Sequence, residues 1–376
     1  MTDVVVLSLE KWDDVWRRNQ HLIAGLLDRD PTLRVLFVEP AVDPLHDLFQ
    51  RRRPRWPRGL RRGPALPQGR AGRLWLLEGA KWLPRRLAPG ADAGLAARVV
   101  AAARRLGFET PTLWVNDPDG AAVLDATDWP ALYDITDDWL LADRPAVETE
   151  RRARAEELLM DRAREVVVCS PTLARTKGVR RDVVLVPNAV DVAAYEQRQP
   201  RPSDVPAEPY ALYVGTVHRD RIDLALCVDT ARALRDRGRL VVVGPLALSS
   251  GDRAQLEGSG VLLLGPRPAA HVPAYLQHAE VLVVPHVVTP FTDSLDPIKR
   301  YEYLAAGRPV VSTPVAGFRE AADAMITVVD KSAFASAVAE RVPDRVPREQ
   351  VAVSGVPSWH DRVEQFAEVL DRVTAT

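Results

Sequence analysis

The 376-residue sequence has only two cysteines, Cys169 and Cys227. Neither stands in a C-x-x-C motif or a Cys/His cluster, so neither a disulfide scaffold nor a zinc site is expected. No apolar run approaches the ~20 residues of a membrane span. The opening MTDVVVLSLEKWDD turns polar after a short apolar stretch and lacks the basic segment and long apolar core of a secretory leader. Charge of one sign is also missing: the formal net charge is −1, which gives no general pull toward nucleic acid. Lysine is scarce, and no G-x-G-x-x-G follows the first β-rich run, which argues against a dehydrogenase. The expectation is a reduced, cytoplasmic protein with no metal, no cofactor and no nucleic-acid partner.

What is present has an ordinary globular balance, 47% hydrophobic and 27% charged, on a length suited to two or three domains of ~150 residues. Short Val/Leu/Ile runs alternate with longer Ala/Leu/Arg stretches of helical period. Strands are expected at Val4–Leu7, Val35–Val38, Thr112–Val115, Ala131–Tyr133, Val166–Cys169 and Val183–Val186. A second series follows at Ala211–Val214, Leu240–Val243, Val261–Leu264, Val281–Val284, Val310–Ser312 and Ile326–Val329. Continuous apolar runs suit parallel strands covered on both faces, and strand–helix alternation implies right-handed crossovers. Between the two series lies PNAVDVAAYEQRQPRPSDVPAEPY, polar and proline-rich, which reads as a linker. The fold expected is therefore α/β, two doubly wound Rossmann-like domains divided near Tyr195–Pro209.

One segment fits neither pattern. RRRPRWPRGLRR, residues 51–62, carries seven arginines and no acid, and its prolines argue against a helix. It reads either as a solvated loop or as a contact for an anionic acceptor, a membrane surface or a protein partner.

In open parallel sheets, ligands collect beyond the carboxyl ends of the strands. After the run Val281–Val284 comes a helix opening on Asp296-Pro297, a cap residue followed by a first-turn residue. Ile298, Tyr301, Leu304 and Ala305 form its apolar face, while Lys299 and Glu302 share another. A nucleoside diphosphate needs cations and N–H donors at its phosphates and carboxylate acceptors at its ribose, and this pair supplies one of each. The alternative is a surface i,i+3 ion pair.

The string P-x-K-x-x-E-Y-L-A-x-G-x-P-V-V, carried by Pro297, Lys299, Glu302, Tyr303, Gly307 and Pro309, resembles the nucleotide-binding segment of GT-B glycosyltransferases, especially family 4. The resemblance implies that Glu302 bonds the ribose of a nucleotide-sugar donor (UDP-, GDP- or dTDP-linked). Family members often carry a sugar-holding carboxylate eight positions earlier; here that position is Ser294, next to Leu295, leaving backbone N–H groups of the 291–296 loop for the role. YVGTVHRDRIDLAL resembles the first strand and loop of the donor domain, implying Gly215, Arg219 and Arg221 at the diphosphate, with Arg219 favoured. An ion-pair network with Asp220 and Asp223 is the other reading. VVVGP implies a close approach at Gly244. LLLGPRPAAHVPAYLQHAEVLVVP implies the base near Gly265, Pro266 and Pro268. VPNAVD resembles the domain junction, and PSWHDRVEQF a terminal helix that crosses back. The domains expected are thus 1–195, joined by the helix 358–376, and 206–357, facing each other across a cleft.

The first domain, which the resemblance makes the acceptor side, is less diagnostic. EKWDDVWRRNQHLIAGLL resembles a branch reading W…R-x-Q, which implies Trp12, Trp16, Arg18 and His21 as cleft residues, although His21 also reads as a packed histidine. LWVNDPDG places Asn116 and Asp117, and YDITDDW places Asp134, Asp137 and Asp138, at strand ends. Asp137 and Asp138 are candidate general bases or structural caps. The resemblance implies sugar transfer to an acceptor hydroxyl with retention of configuration, Arg219 and Lys299 stabilising the leaving diphosphate. The acceptor classes left open are a carbohydrate, a lipid carrier and a small natural product. A nucleotide-sugar epimerase of related fold and an inactive donor-binding partner subunit are the alternatives.

Overall fold

The structure is a computed structural model describing residues 3–50, 52–64, 72–82, 90–321, 323–343 and 355–375. Arg51 of the arginine run, residue 376 of the expected closing helix and parts of both expected domains lie outside these residues. The chain divides into two compact units, Met1–Pro187 with His360–Thr376, and Asn188–Trp359.

In the first unit the order is β1 (Asp3–Leu7), α1 (Arg18–Arg29), β2 (Arg34–Val42), α2 (Pro44–Phe49), β3 (Gly59–Arg62), β4 (Leu74–Ala80), α3 (Ala91–Arg105) and β5 (Thr112–Val115). It continues with α4 (Ala121–Asp125), β6 (Ala131–Ile135), α5 (Ala146–Arg162), β7 (Glu165–Val168), α6 (Pro171–Lys177) and β8 (Val184–Leu185). Among the described residues these strands form one sheet ordered β3-β4-β2-β1-β5-β6-β7-β8, parallel except for β3 against β4. The chain therefore reverses its direction of travel between β1 and β5, and a crevice opens at the carboxyl ends there.

The second unit contains α7 (Ala193–Glu196), β9 (Tyr210–Val214), β10 (Val217–His218), α8 (Leu224–Ala233), β11 (Arg239–Val243), β12 (Leu246–Ala247), α9 (Ser250–Gly258) and β13 (Leu262–Gly265). After these come α10 (Val272–His278), β14 (Val281–Val284), α11 (Ile298–Ala306), β15 (Val310–Ser312), β16 (Ile326–Val328) and α12 (Lys331–Arg341). Among its described strands β10 pairs with β12 alone, and the other six give a parallel sheet ordered β13-β11-β9-β14-β15-β16, the doubly wound order with its switch between β9 and β14. Every residue of β9 and β14 is buried, which accounts for their unbroken apolar sequence. Asp223 caps α8 and Ser249 caps α9. Gly307 closes α11 at φ 62, a left-handed turn that lets the chain re-enter the sheet at once as β15.

A last helix, α13 (Trp359–Thr374), returns to the first unit. Phe366 lies 4.3 Å from Trp114 between ring centroids, and Arg164 donates to the Val373 carbonyl. Among the described residues no helix is long and apolar enough to cross a membrane.

Two details differ from the expectations. The stretch after Pro187 is no loose linker: the Asn188 N–H donates to the Asp296 carboxylate, Val190 pairs with Ser358, and Tyr195 is buried in the second core. The division thus falls at Pro187/Asn188 rather than at 195–206. The arginine run is no plain loop either, since Gly59–Arg62 forms an edge strand. Buried acids anchor it: Asp47 holds Arg55, Glu39 holds Arg61, and Glu78 accepts the Arg58 N–H. An arginine-rich edge resists pairing with further strands.

Candidate active site

At the carboxyl end of β9, Val214 gives way to Gly215, and at that of β11, Val243 gives way to Gly244. The two glycines touch through their backbones. A Cβ on Gly244 would fall 2.2 Å from the Gly215 carbonyl oxygen, so no side chain fits there. Their N–H groups are used within the sheet, Gly215 donating to Val243 and Gly244 to Gly265. The result is a bare backbone floor beside the switch point.

Lys299, from the first turn of α11, reaches over this floor. Its Nζ would stand 3.2 Å from a Cβ on Gly215 and lies 5.3 Å from the Tyr213 ring centroid. Glu302 is one turn further along. The surface ion pair allowed by the i,i+3 spacing does not form: among the described residues neither side chain has a hydrogen bond or a salt bridge. Both remain partly accessible to solvent, yet both are deeply surrounded by protein, as groups at the base of a recess are. Burial brings the Lys299 ammonium down to about 8, against the pull of Glu302, and the nearby Arg221 charge lowers it further. Burial pushes the Glu302 carboxyl up, with Lys299 opposing. Two oppositely charged groups held apart in a recess are what a ligand with an anionic and a hydroxylic part requires.

The start of α11 differs from its sequence reading. Pro297, not Asp296, is the cap residue, and no side chain caps the helix. Asp296 is occupied by the Asn188 N–H and the Tyr301 hydroxyl and so does not cap the first turn.

Of the two arginines, Arg219 is bound by the Asp252 carboxylate through Nε and Nη2 and is two-thirds exposed. The alternative reading, a network with Asp220 and Asp223, does not form: Asp220 meets His218, and Asp223 meets Lys331. Arg221 is the guanidinium whose charge bears on Lys299, and it lies over Phe291. Ser294 is buried and donates its hydroxyl to the Phe291 carbonyl 2.7 Å away, while Leu295 ends that turn. Gly265 ends β13 past its register shift and Pro266 follows it, where Arg267 is fixed by Asp204, Tyr275 and the Pro266 carbonyl.

The first unit has its own recess of about 200 Å³ at the carboxyl ends of β1, β2 and β4, lined by Ser8, Glu39, Lys81, Asp117 and Asp119 with apolar walls from Leu95 and Val99. Burial, then the neighbouring Asp119 charge, pushes the Asp117 carboxyl up to about 6. The other expected residues are mostly engaged internally. Arg18 forks onto the fully buried Asp134, and Asn116 bridges Asn19 to the Asp134 carbonyl. Asp138 pairs with Lys177, which also holds Glu156. Asp137 accepts from the Thr136 hydroxyl. Trp12 and Trp16 pack edge-on, and His21 lies against Trp16, burial pushing its imidazole down to about 3 and so keeping it neutral. Among the described residues no three His, Cys, Asp or Glu side chains gather as a metal requires.

Sequence reasoning missed two members of the second unit's site. Tyr213 faces the Lys299 ammonium, and the buried His286, whose Nε2 is 3.4 Å from the Tyr213 hydroxyl, is held neutral by burial and by the charges of Lys299 and Arg221. His286 stands two residues past the end of β14, a position that strand-end reasoning could have flagged.

Comparison with known proteins places this geometry. Residues 208–344 match the family described as Glycosyl transferases group 1. A protein of Bacillus subtilis strain 168, provisionally named the teichuronic acid biosynthesis glycosyltransferase TuaH, is 25% identical over 220 residues. That alignment covers 54% of this chain and 55% of the relative, so the chain spans about half the length of the curated relative it matches. Similar solved structures include sucrose-phosphate synthase from Thermosynechococcus elongatus, with TM-score 0.67, 18% identity and 99% of each chain covered. Anabaena Alr3699/HepE, solved in complex with UDP, has TM-score 0.63 and 15% identity over 99% of this chain and 100% of that one. An E. coli trehalose-6-phosphate protein bound with UDP-2-fluoro glucose has TM-score 0.64 and 11% identity, with both chains fully covered. The whole-chain likeness shows the GT-B fold.

Proposed function

We propose, taking as premise that the second unit carries a group 1 glycosyl transferase domain, that this protein transfers a sugar from a nucleotide-sugar donor to an acceptor hydroxyl with retention of configuration. The observation that carries this reading is the unpaired Lys299 and Glu302 in a recess beside the Gly215–Gly244 floor. The diphosphate takes Lys299, Arg221 and the α11 amides; the ribose hydroxyls donate to Glu302. Cleavage of the bond between the sugar's anomeric carbon and the β-phosphate oxygen leaves charge on that oxygen. Fixed cations and amides stabilise it without rearranging. The acceptor oxygen bonds the same carbon from the same face, and its proton passes to the departing phosphate. Arg219, salt-bridged to Asp252, serves this step from further out than Arg221. The recess at Asp117 in the first unit is our candidate for the acceptor, and a carbohydrate is the class we favour.

Two of the similar structures hold UDP or a UDP-sugar, which makes UDP the first donor nucleotide to test. UDP is expected to raise the thermal midpoint, by about 2.7 kcal/mol of stabilisation at roughly 100 times Kd. Because the free Lys299 ammonium titrates at about 8, affinity should be full below that pH and fall as pH rises through it. A thermal melt checks the first point and titration calorimetry from neutral to alkaline pH the second; no stabilisation by UDP, GDP, dTDP or ADP would remove the donor site. Ser294, turned inward, favours donor binding without transfer as the second reading. UDP stabilisation with no UDP release from any sugar donor would select it.

A further inference from the structure

We infer that the first unit docks on an anionic lipid surface through the aromatic and basic patch around Trp56. Four large apolar side chains are exposed within a short span: Leu48 at 54%, Phe49 at 79%, Trp56 at 65% and Trp82 at 43%. Trp56 and Trp82 are in ring contact, and Leu48 and Phe49 belong to the same α2-to-β3 region, which together is more than scattered singles. The chain brings them together. Leu48 and Phe49 end α2 just after the buried Asp47, and the following segment folds back on that same residue. The Arg52 N–H donates to the Asp47 carbonyl, and the Arg55 N–H and Nε donate to its carboxylate. Trp56 then projects between Pro54 and Pro57 and meets Trp82 at 5.9 Å between ring centroids.

The charge around these rings decides the occupant. Among the acids of this region, Asp47, Glu39 and Glu78 are buried beneath the segment and consumed by Arg55, Arg61, Lys11 and a backbone N–H, and the half-buried Asp43 is paired with Lys81. Arg52, Arg53 and Arg58 stand exposed and make no ion pair with another described residue. The outer face therefore offers guanidinium groups beside indole and phenyl rings. Guanidinium binds phosphate oxygens, and Trp settles at the level of lipid headgroups with its apolar body toward the chains. This inference does not depend on the sugar-transfer reading.

The test is sedimentation of the full chain with vesicles of equal parts phosphatidylglycerol and phosphatidylcholine, beside vesicles of phosphatidylcholine alone. The intact chain is expected to bind the anionic vesicles, with binding weakened by salt. Trp56→Ser with Trp82→Ser should lower partitioning about tenfold or more, and Arg52→Glu, Arg53→Glu and Arg58→Glu together about 100-fold. All these sites are exposed, and far-UV circular dichroism confirms that each variant is folded. Lipids brominated in their tails should quench Trp emission in the intact chain and less in the double Trp variant. No binding to anionic vesicles at low salt, equal binding by both sets of variants, or charge-dependent binding without quenching would each overturn the proposal. The last outcome would mark a polyanion or acidic-protein surface instead.

Discussion

On the proposed reading, replacing Lys299 by alanine is expected to lower sugar transfer about 10²–10³-fold, the loss typical of removing one preorganised group at a developing oxyanion. The fold should not suffer. In the free protein Lys299 meets the Tyr213 ring and the like charge of Arg221, and among the described residues it has no acid within ion-pair distance. Its loss breaks no ion pair and removes the burial cost of the ammonium, while Glu302 loses an opposing charge, so the thermal midpoint should change little. This pairing of lost turnover with retained stability separates a ligand-directed lysine from a structural one. Glu302→Ala should act mainly on donor KM, because the proposed ribose contact would be made in the ground state as well as the transition state. Unchanged kcat/KM in Lys299→Ala with a proven donor would remove the residue from the mechanism.

Lys177→Met should behave in the opposite way, costing about 3–5 kcal/mol of stability. Lys177 lies 3.1 Å from Asp138 and 2.6 Å from Glu156, and all three side chains are about nine-tenths buried. Without the ammonium, two carboxylates face each other with no cation between them. A loss of that size lowers the thermal midpoint by roughly 10 °C in a domain of this size. Asp138→Asn with Glu156→Gln added to Lys177→Met should recover part of it. The same triad bears on Asp138 as a general base. If its work is structural, Asp138→Asn loses stability more than it loses turnover at a temperature where it is folded. Urea denaturation of each variant measures this, and a shift below about 1 kcal/mol for Lys177→Met would refute the triad's role.

Residues with few conformational options were legible in the sequence. All twelve expected strands are present, because unbroken Val/Leu/Ile runs between helices have little else to become. Two strands of the first sheet were missed, β3 and β4. Arg-rich Gly59–Arg62 hides a strand that is stable only because buried acids take up its charge, a tertiary fact that local pattern does not carry. The Lys299/Glu302 motif was visible as a spacing, but whether the two would pair was not. That depended on α11 standing at the switch point with Tyr213 and Gly215 under the ammonium. Polar residues at strand ends were harder. Arg18, Asn116, Asp138 and Asp296 all sit where ligands usually bind, yet each is spent on an internal partner drawn from more than fifteen positions away or from another element. Sequence marks a polar residue as available; only the fold shows which ones are already taken.

The bridge between Val190 and Ser358 has a consequence for synthesis. Everything from Asn188 to Trp359 starts and stops at one clasp, so it is a complete parcel once residue 359 has been made. The preceding half, made earlier, still lacks α13, whose Phe366 covers Trp114. The second unit can thus close without α13, whereas the first keeps Trp114 uncovered until α13 has been made.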